Sequence, residues 1–182
     1  MDNVKTVIEA LIFASEVPIA VDRIREILPD VETSEIQRLL HELADEYRER
    51  KGGFYLHEVA GGFHFRTRTE LSPWITLLKK TRPVVLSRAA METLAVIAYR
   101  QPVVKSEIDS IRGVDTSGAL KGLLDKKLVR MMGRKDVPGR PIVYGTTKRF
   151  LEVFNLKELT ELPTLRELKD LQEEPQDQRT ES

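Results

Sequence analysis

At 182 residues, with 41% hydrophobic and 32% charged side chains, the chain has room for one domain or two small ones with well-solvated helices. It holds no cysteine, which excludes disulfides, zinc fingers and thiol catalysis, and no apolar run nears the roughly 20 residues of a membrane span. The net charge of zero conceals an asymmetry: residues 1–80 carry 11 basic and 14 acidic side chains (−3), residues 81–150 carry 14 and 6 (+8), and residues 151–182 carry 4 and 9 (−5).

The start, MDNVKTVIEA, does not read as a signal peptide, and a cytoplasmic address is expected. Val4, Val7, Ile8, Leu11 and Ile12 recur at helical spacing and predict an amphipathic helix over Val4–Ala14. After the break at Pro18 come a short helix, Val21–Leu28, and a third helix, Ser34–Arg50, started by Thr33 or Ser34. The period then changes to two. Phe54–Val59, Gly61-Gly62 and Phe63–Arg66 predict a β-hairpin. Leu71–Lys80, with the only tryptophan, Trp74, reads as a helix, and Thr81–Val85 as a linker.

The same order then recurs. Arg88–Tyr99 is a helix capped by Ser87, Lys105–Arg112 a short helix ended by Gly113, and Thr116–Lys127 a third helix. Leu128–Met132 and Ile142–Gly145 are strands around a loop, and Lys148–Phe154, capped by Thr147 and stopped by Asn155, is a closing helix. An offset of 84 residues pairs Ala14 with Ala98, Pro18 with Pro102, Ile24 with Ile108, Ile27 with Ile111, Ile36 with Leu120, Leu39 with Leu123 and Leu40 with Leu124. Three helices and a hairpin make a winged helix, here present twice. The expected fold class is mainly α with small β-hairpins (α+β): two tandem winged-helix domains, 1–70 and 87–160, joined by a helix and linker at 71–86. An acidic tail follows at 161–182, disordered beyond about residue 171.

The third helix of a winged helix commonly enters DNA, which requires exposed basic or amide side chains. The first copy instead offers Glu35, Glu42, Asp45, Glu46 and Glu49. The second buries Leu120, Leu123, Leu124 and Leu128 and leaves Ser117, Gly118, Lys121, Gly122 and Asp125 outside, a poor reading head. Gly118 and Gly122 cost roughly 1 kcal/mol each against alanine in a helix. They either form a notch that admits a foreign backbone or ease packing within the domain. Non-specific contact of the basic domain with DNA survives this test; sequence-specific regulation mostly does not.

Catalysis finds little support. Of the three histidines, His57 and His64 face each other across the predicted hairpin, but no third ligand has suitable spacing, so no metal or other cofactor is expected. The stretch GRKDVPGRPIVYGTT, Gly133–Thr147, is not a nucleotide loop: five residues separate Gly133 from Gly139, Arg140-Pro141 follows, and Pro138 and Pro141 remove two backbone donors. Val137-Pro138-Gly139-Arg140 fits a type II turn, with Arg140 pushed toward extended backbone by Pro141. The loop reads as a stiffened wing tip presenting Arg134, Lys135 and Arg140 beside Asp136.

METLAVIAYRQPVVKSEIDSIRGVDTSGALKGLLDKKLV, GRKDVPGRPIVYGTTKRFLEVFNL and VAGGFHFRTR closely resemble the bacterial segregation and condensation protein B family over roughly residues 3–168. That family supplies the tandem winged-helix subunit of the chromosome-organising SMC complex. The resemblance implies a homodimer joined mainly through the N-terminal domains that binds the kleisin subunit, segregation and condensation protein A. The kleisin in turn bridges SMC ATPase heads. It also implies a nucleoid-associated role in chromosome condensation and partition, with no catalysis and no membrane contact. Val104 stands where relatives often carry a threonine cap, a local cost of about 1 kcal/mol. The kleisin contact is expected on the second domain, at Gly118, Lys121 and Gly122 and at the wing residues Arg134, Lys135, Asp136, Pro138, Gly139, Arg140 and Tyr144. For Tyr144 a core position is the stronger reading. The competing function is that of a dimeric winged-helix DNA-binding regulator.

Overall fold

The computed structural model describes residues 4–79, 85–164 and 167. The expected disorder of the tail beyond residue 171, and linker residues 81–84, lie outside the described residues. The chain is mixed helix and sheet, built around two separate apolar cores.

In the N-terminal half, α1 (Val4–Ala14), α2 (Val21–Ile27) and α3 (Thr33–Glu49) precede the strands β1 (Phe54–Val59) and β2 (Gly62–Thr67). The apolar stripes of the three helices converge, and Ile8, Ile12, Ile24, Ile36 and Leu40 are all essentially sealed from water. No side chain caps α3; Glu32 precedes its first turn in extended conformation, so the expected Thr33 or Ser34 cap is absent. Strands β1 and β2 pair antiparallel with His57 opposite His64, and Ile19 adds a two-residue bridge to Phe63. A Cβ on Gly62 would lie 2.7 Å from the Ile19 carbonyl, so only glycine lets the hairpin approach that segment. A 3-10 turn, Thr69–Leu71, leads into α4 (Ser72–Lys79).

The C-terminal half repeats this order with additions. Helix α5 (Arg88–Arg100) starts at Ser87, whose Oγ accepts from the Ala90 amide, and leads to β3 (Val103–Val104). Then follow α6 (Lys105–Arg112), α7 (Ser117–Asp125), β4 (Val129–Arg134), β5 (Ile142–Thr146) and α8 (Lys148–Phe154). The sheet order is β3-β5-β4. Periodicity missed β3 because two residues are too few to show a period. The repeat nevertheless contains it: Ile19 plus the 84-residue offset is Val103, and both residues pair with the second strand of their hairpin. This also explains Val104. Its β-branched side chain is buried in the sheet, and its amide donates to Glu107 Oε2 at 3.1 Å, so the helix start keeps one capping bond without a threonine.

The aligned positions share their environments. Ile24 and Ile108 are both fully buried, as are Ile36 and Leu120 to within a few per cent, while Ile27 and Ile111 are exposed in both halves. Gln101 ties the end of α5 to β5: its Oε1 accepts from the Thr146 amide at 2.6 Å and its Nε2 donates to Thr146 Oγ1 at 3.0 Å. Thr147 Oγ1 accepts from the Phe150 amide at 3.2 Å, and Asn155 ends α8 in left-handed conformation.

Candidate protein-docking site

Helix α7 is held from its N-terminal side by one carboxylate. Asp109 Oδ1 accepts from the Thr116 amide at 2.9 Å and the Thr116 hydroxyl at 2.6 Å, while its Oδ2 sits 2.6 Å from Lys105 Nζ. Lys105 and then the Thr116 donors hold the Asp109 carboxyl down to about 2. Leu120 and Leu123 turn inward from α7, and Leu124 is half-buried. The opposite face carries Gly118 and Gly122, and a Cβ placed on either meets nothing within 4 Å among the described residues. The two glycines therefore do not ease packing within this half. They lie in an open groove of about 260 Å³, walled by Val85, Leu86 and Ala90 from the start of α5 and by Lys126. A second depression of about 290 Å³ shares Leu86 and Lys126 and continues over Leu128 to Arg149 and Val153 on α8. The combined trough has an apolar floor and basic shoulders. Its chemistry suits an apolar segment with acidic flanks.

The expected wing residues form a separate feature, since none of them lines either depression. Arg134, Lys135, Asp136, Pro138, Gly139 and Arg140 are all exposed at the β4–β5 connection. The turn closes as expected, with the Arg140 amide donating to the Val137 carbonyl at 2.9 Å and Gly139 at φ 84°. Arg140 departs from expectation: its φ is 38°, in the left-handed region, rather than extended. Closure of the loop demands it, because Pro141 must turn its carbonyl back to accept from the Lys135 amide at 2.9 Å. Arg134 then donates from its guanidinium to the Arg140 carbonyl at 3.0 Å, and Lys135 pairs with Glu107 of α6 at 3.1 Å. Part of the charge of the β4–β5 loop is thus committed inside the chain. Tyr144 is 7% exposed and belongs to the C-terminal core, so it is withdrawn as a contact residue.

Sequence reasoning missed two further surfaces. Helix α4 buries no residue, and Trp74, Leu77 and Leu78 stand 64%, 75% and 78% exposed. Its apolar content was legible, but its lack of a partner among the described residues was not. Strand β4 exposes Met131 and Met132 beside Arg130. The acidic face of α3 is partly self-neutralised: Arg38 pairs with Glu35 at 2.8 Å and Glu42 at 3.0 Å, and Lys5 pairs with Glu42 at 2.6 Å and with Glu46. His57 and His64 do pair across the hairpin, yet no group of three metal-ligating side chains occurs among the described residues. No helix among the described residues is long and apolar enough to cross a membrane.

A family model described as segregation and condensation complex subunit ScpB matches residues 6–165. Segregation and condensation protein B of Syntrophotalea carbinolica is 48% identical over 176 residues, spanning 96% of this chain and 89% of the relative. The segregation and condensation protein B homolog of Coxiella burnetii is 45% identical, spanning 93% of this chain and 82% of that protein. Among solved structures, ScpB from Mycobacterium tuberculosis is 32% identical, covering 85% of this chain and 96% of that one at a TM-score of 0.40. A structure described as a dimer of the ScpB N-terminal domain complexed with an ScpA peptide is 29% identical, covering 41% of this chain and 91% of that one at a TM-score of 0.37. The match of a ScpB model over most of the chain, together with relatives near half identical across almost their whole length, places this chain in the segregation and condensation complex subunit ScpB family.

Proposed function

We propose that the chain is a non-catalytic subunit of a bacterial SMC condensin-like complex. It self-associates through its N-terminal half and binds the kleisin subunit, serving chromosome condensation and segregation at the nucleoid. In this reading residues 1–70 and 87–160 are tandem winged-helix domains, joined by the helix and linker at 71–86 and followed by an acidic tail from residue 161. The order of three helices and a hairpin, repeated around two cores, supports the assignment.

One observation carries the reading: the glycine-floored trough between α5 and α7 is open, apolar at its base and flanked by Lys126 and Arg149. A reading helix would present donors there; a docking surface presents room. A related N-terminal domain is described as a dimer bound to a peptide of ScpA, the kleisin partner. In this chain the exposed Trp74, Leu77 and Leu78 of α4 offer an apolar face for self-association. Arg134 and Arg140 of the wing supply a second, smaller contact.

The test is to weigh the full chain alone and after co-expression with the kleisin. A dimer alone and a complex of fixed stoichiometry with kleisin are expected. Separation of the two proteins on a sizing column at micromolar concentration overturns the proposal. In the same assay, Arg134→Glu with Arg140→Glu weakens the complex if the wing takes part; an unchanged dissociation constant moves the contact elsewhere.

A further inference from the structure

The two halves meet at a polar clasp between the tip of the first hairpin and the segment after α8. The amides of Ala60 and Gly61 donate to the carbonyls of Leu156 and Lys157, each at 2.9 Å. Arg66 reaches from β2 to the carbonyl of Glu152 at 3.0 Å, and Glu58 Oε2 lies 2.8 Å from Lys157 Nζ. Val59 and Ala60 are buried although neither belongs to either apolar core. The connection thus rests on directional bonds around the small buried pair Val59 and Ala60, apart from both cores, which favours a contact that can open.

His57 sits within this clasp. It is half-buried, and its Nε2 is sealed from water with no hydrogen-bond partner among the described residues. The groups that face it are Tyr55 on its own strand, Arg66 and His64 on β2, and Asn155, Lys157 and Glu161 from the segment after α8, Lys157 also pairing with Glu58. Burial first, then the Arg66 and Lys157 cations, push the imidazole below its ordinary value of 6.5, against weaker support from Asn155 and Glu161. Protonation would place a charge on a half-buried ring between two other cations, with Asn155 and Glu161 its only support among the described residues.

We infer that this clasp is an acid-released latch: it holds the two halves as one body while His57 is neutral, and it opens when His57 is protonated. The sign follows from linkage. The closed form binds the proton less well than the open form, so the clasp is fully favoured above the ordinary imidazole value. That preference is lost as the pH falls through the lower value of the closed form. Unperturbed carboxylates stay largely ionised at about pH 5.5, so a change between about pH 8 and 5.5 reports an imidazole.

The chain has no cysteine, so Arg25→Cys on α2 and Arg130→Cys on β4 give two unique spin-label sites on exposed side chains. Labelled full-length chain is diluted with unlabelled chain, so that only distances within one molecule are read. One narrow distance peak is expected at about pH 8 and a broad, shifted distribution at about pH 5.5, reversibly and with helix content unchanged by circular dichroism. His57→Gln should keep the narrow peak at both values, while His64→Gln should open like the parent chain. If Gln itself loosens the clasp at the higher pH, His57→Phe, which is uncharged and apolar, is read in its place and must stay narrow at both. An identical distribution at both values in the parent chain, or equal broadening in the uncharged variant, overturns the latch.

Discussion

Helix α3 runs 17 residues and turns carboxylates outward, with Glu35 and Glu42 held below the usual range chiefly by bonds from Arg38 and Lys5. Helix α7 occupies the corresponding place in the second half, runs only nine residues, and turns Gly118 and Gly122 toward an empty groove. Their inward faces are interchangeable, since Ile36 and Leu39 correspond to Leu120 and Leu123 and all four are buried. The repeat thus keeps what packing requires and leaves the outer face free to vary. A core position is fixed by contacts on every side, whereas a surface position answers only to its partner. The functional difference between the halves therefore lies in the side chains that the repeat does not preserve.

If the cores are equivalent, matched truncations should cost the same. Ile24→Ala and Ile108→Ala remove side chains that are both fully buried, and each should lower stability by about 2–5 kcal/mol in denaturant titration. Values far apart would break the equivalence. The surfaces should respond oppositely. Gly118→Ala and Gly122→Ala meet no neighbour among the described residues and should each raise stability by about 1 kcal/mol, a gain that α3 has no glycine to yield. A loss would mean that the groove is already filled within the chain.

Acid should sharpen the contrast further. Asp109 is depressed to about 2 by Lys105 and Thr116, so its contribution is present above the ordinary aspartate value and disappears as pH falls through about 2. Asp109→Asn should make the thermal midpoint of the second half less dependent on pH between about 4 and 2, with no matching effect on the first. An unaltered pH profile in that variant would contradict the role given to this carboxylate.

Much of the fold was legible because helix periodicity and cap chemistry are local. Val4–Ala14, Lys105–Arg112 and Lys148–Phe154 match their expected bounds, and Ser87 and Thr147 cap as anticipated. Apart from the missing α3 cap, the failures are non-local. Strand β3 exists only because β5 lies beside Val103, and Arg140 takes positive φ only because the loop must close on Lys135. At the site, the spacing of Gly118 and Gly122 announced something unusual. Whether the notch faced inward or outward depended on where α5 and Leu86 came to rest. The clasp joining the halves left no trace in the sequence, because backbone amides and carbonyls make its principal bonds. Gln101 lies within the stretch that carries the family resemblance, and its bonds to Thr146 give that position a physical role.

The central claim is that the α7 groove receives the kleisin, and filling it tests this most directly. Gly118→Leu with Gly122→Leu adds side chains into open space, so the fold should survive, as circular dichroism and the thermal midpoint can verify. Calorimetric titration of this variant with the kleisin should then show affinity reduced by about 100-fold or more, equivalent to about 2.7 kcal/mol. A folded double variant that binds kleisin with the parent dissociation constant would contradict the account.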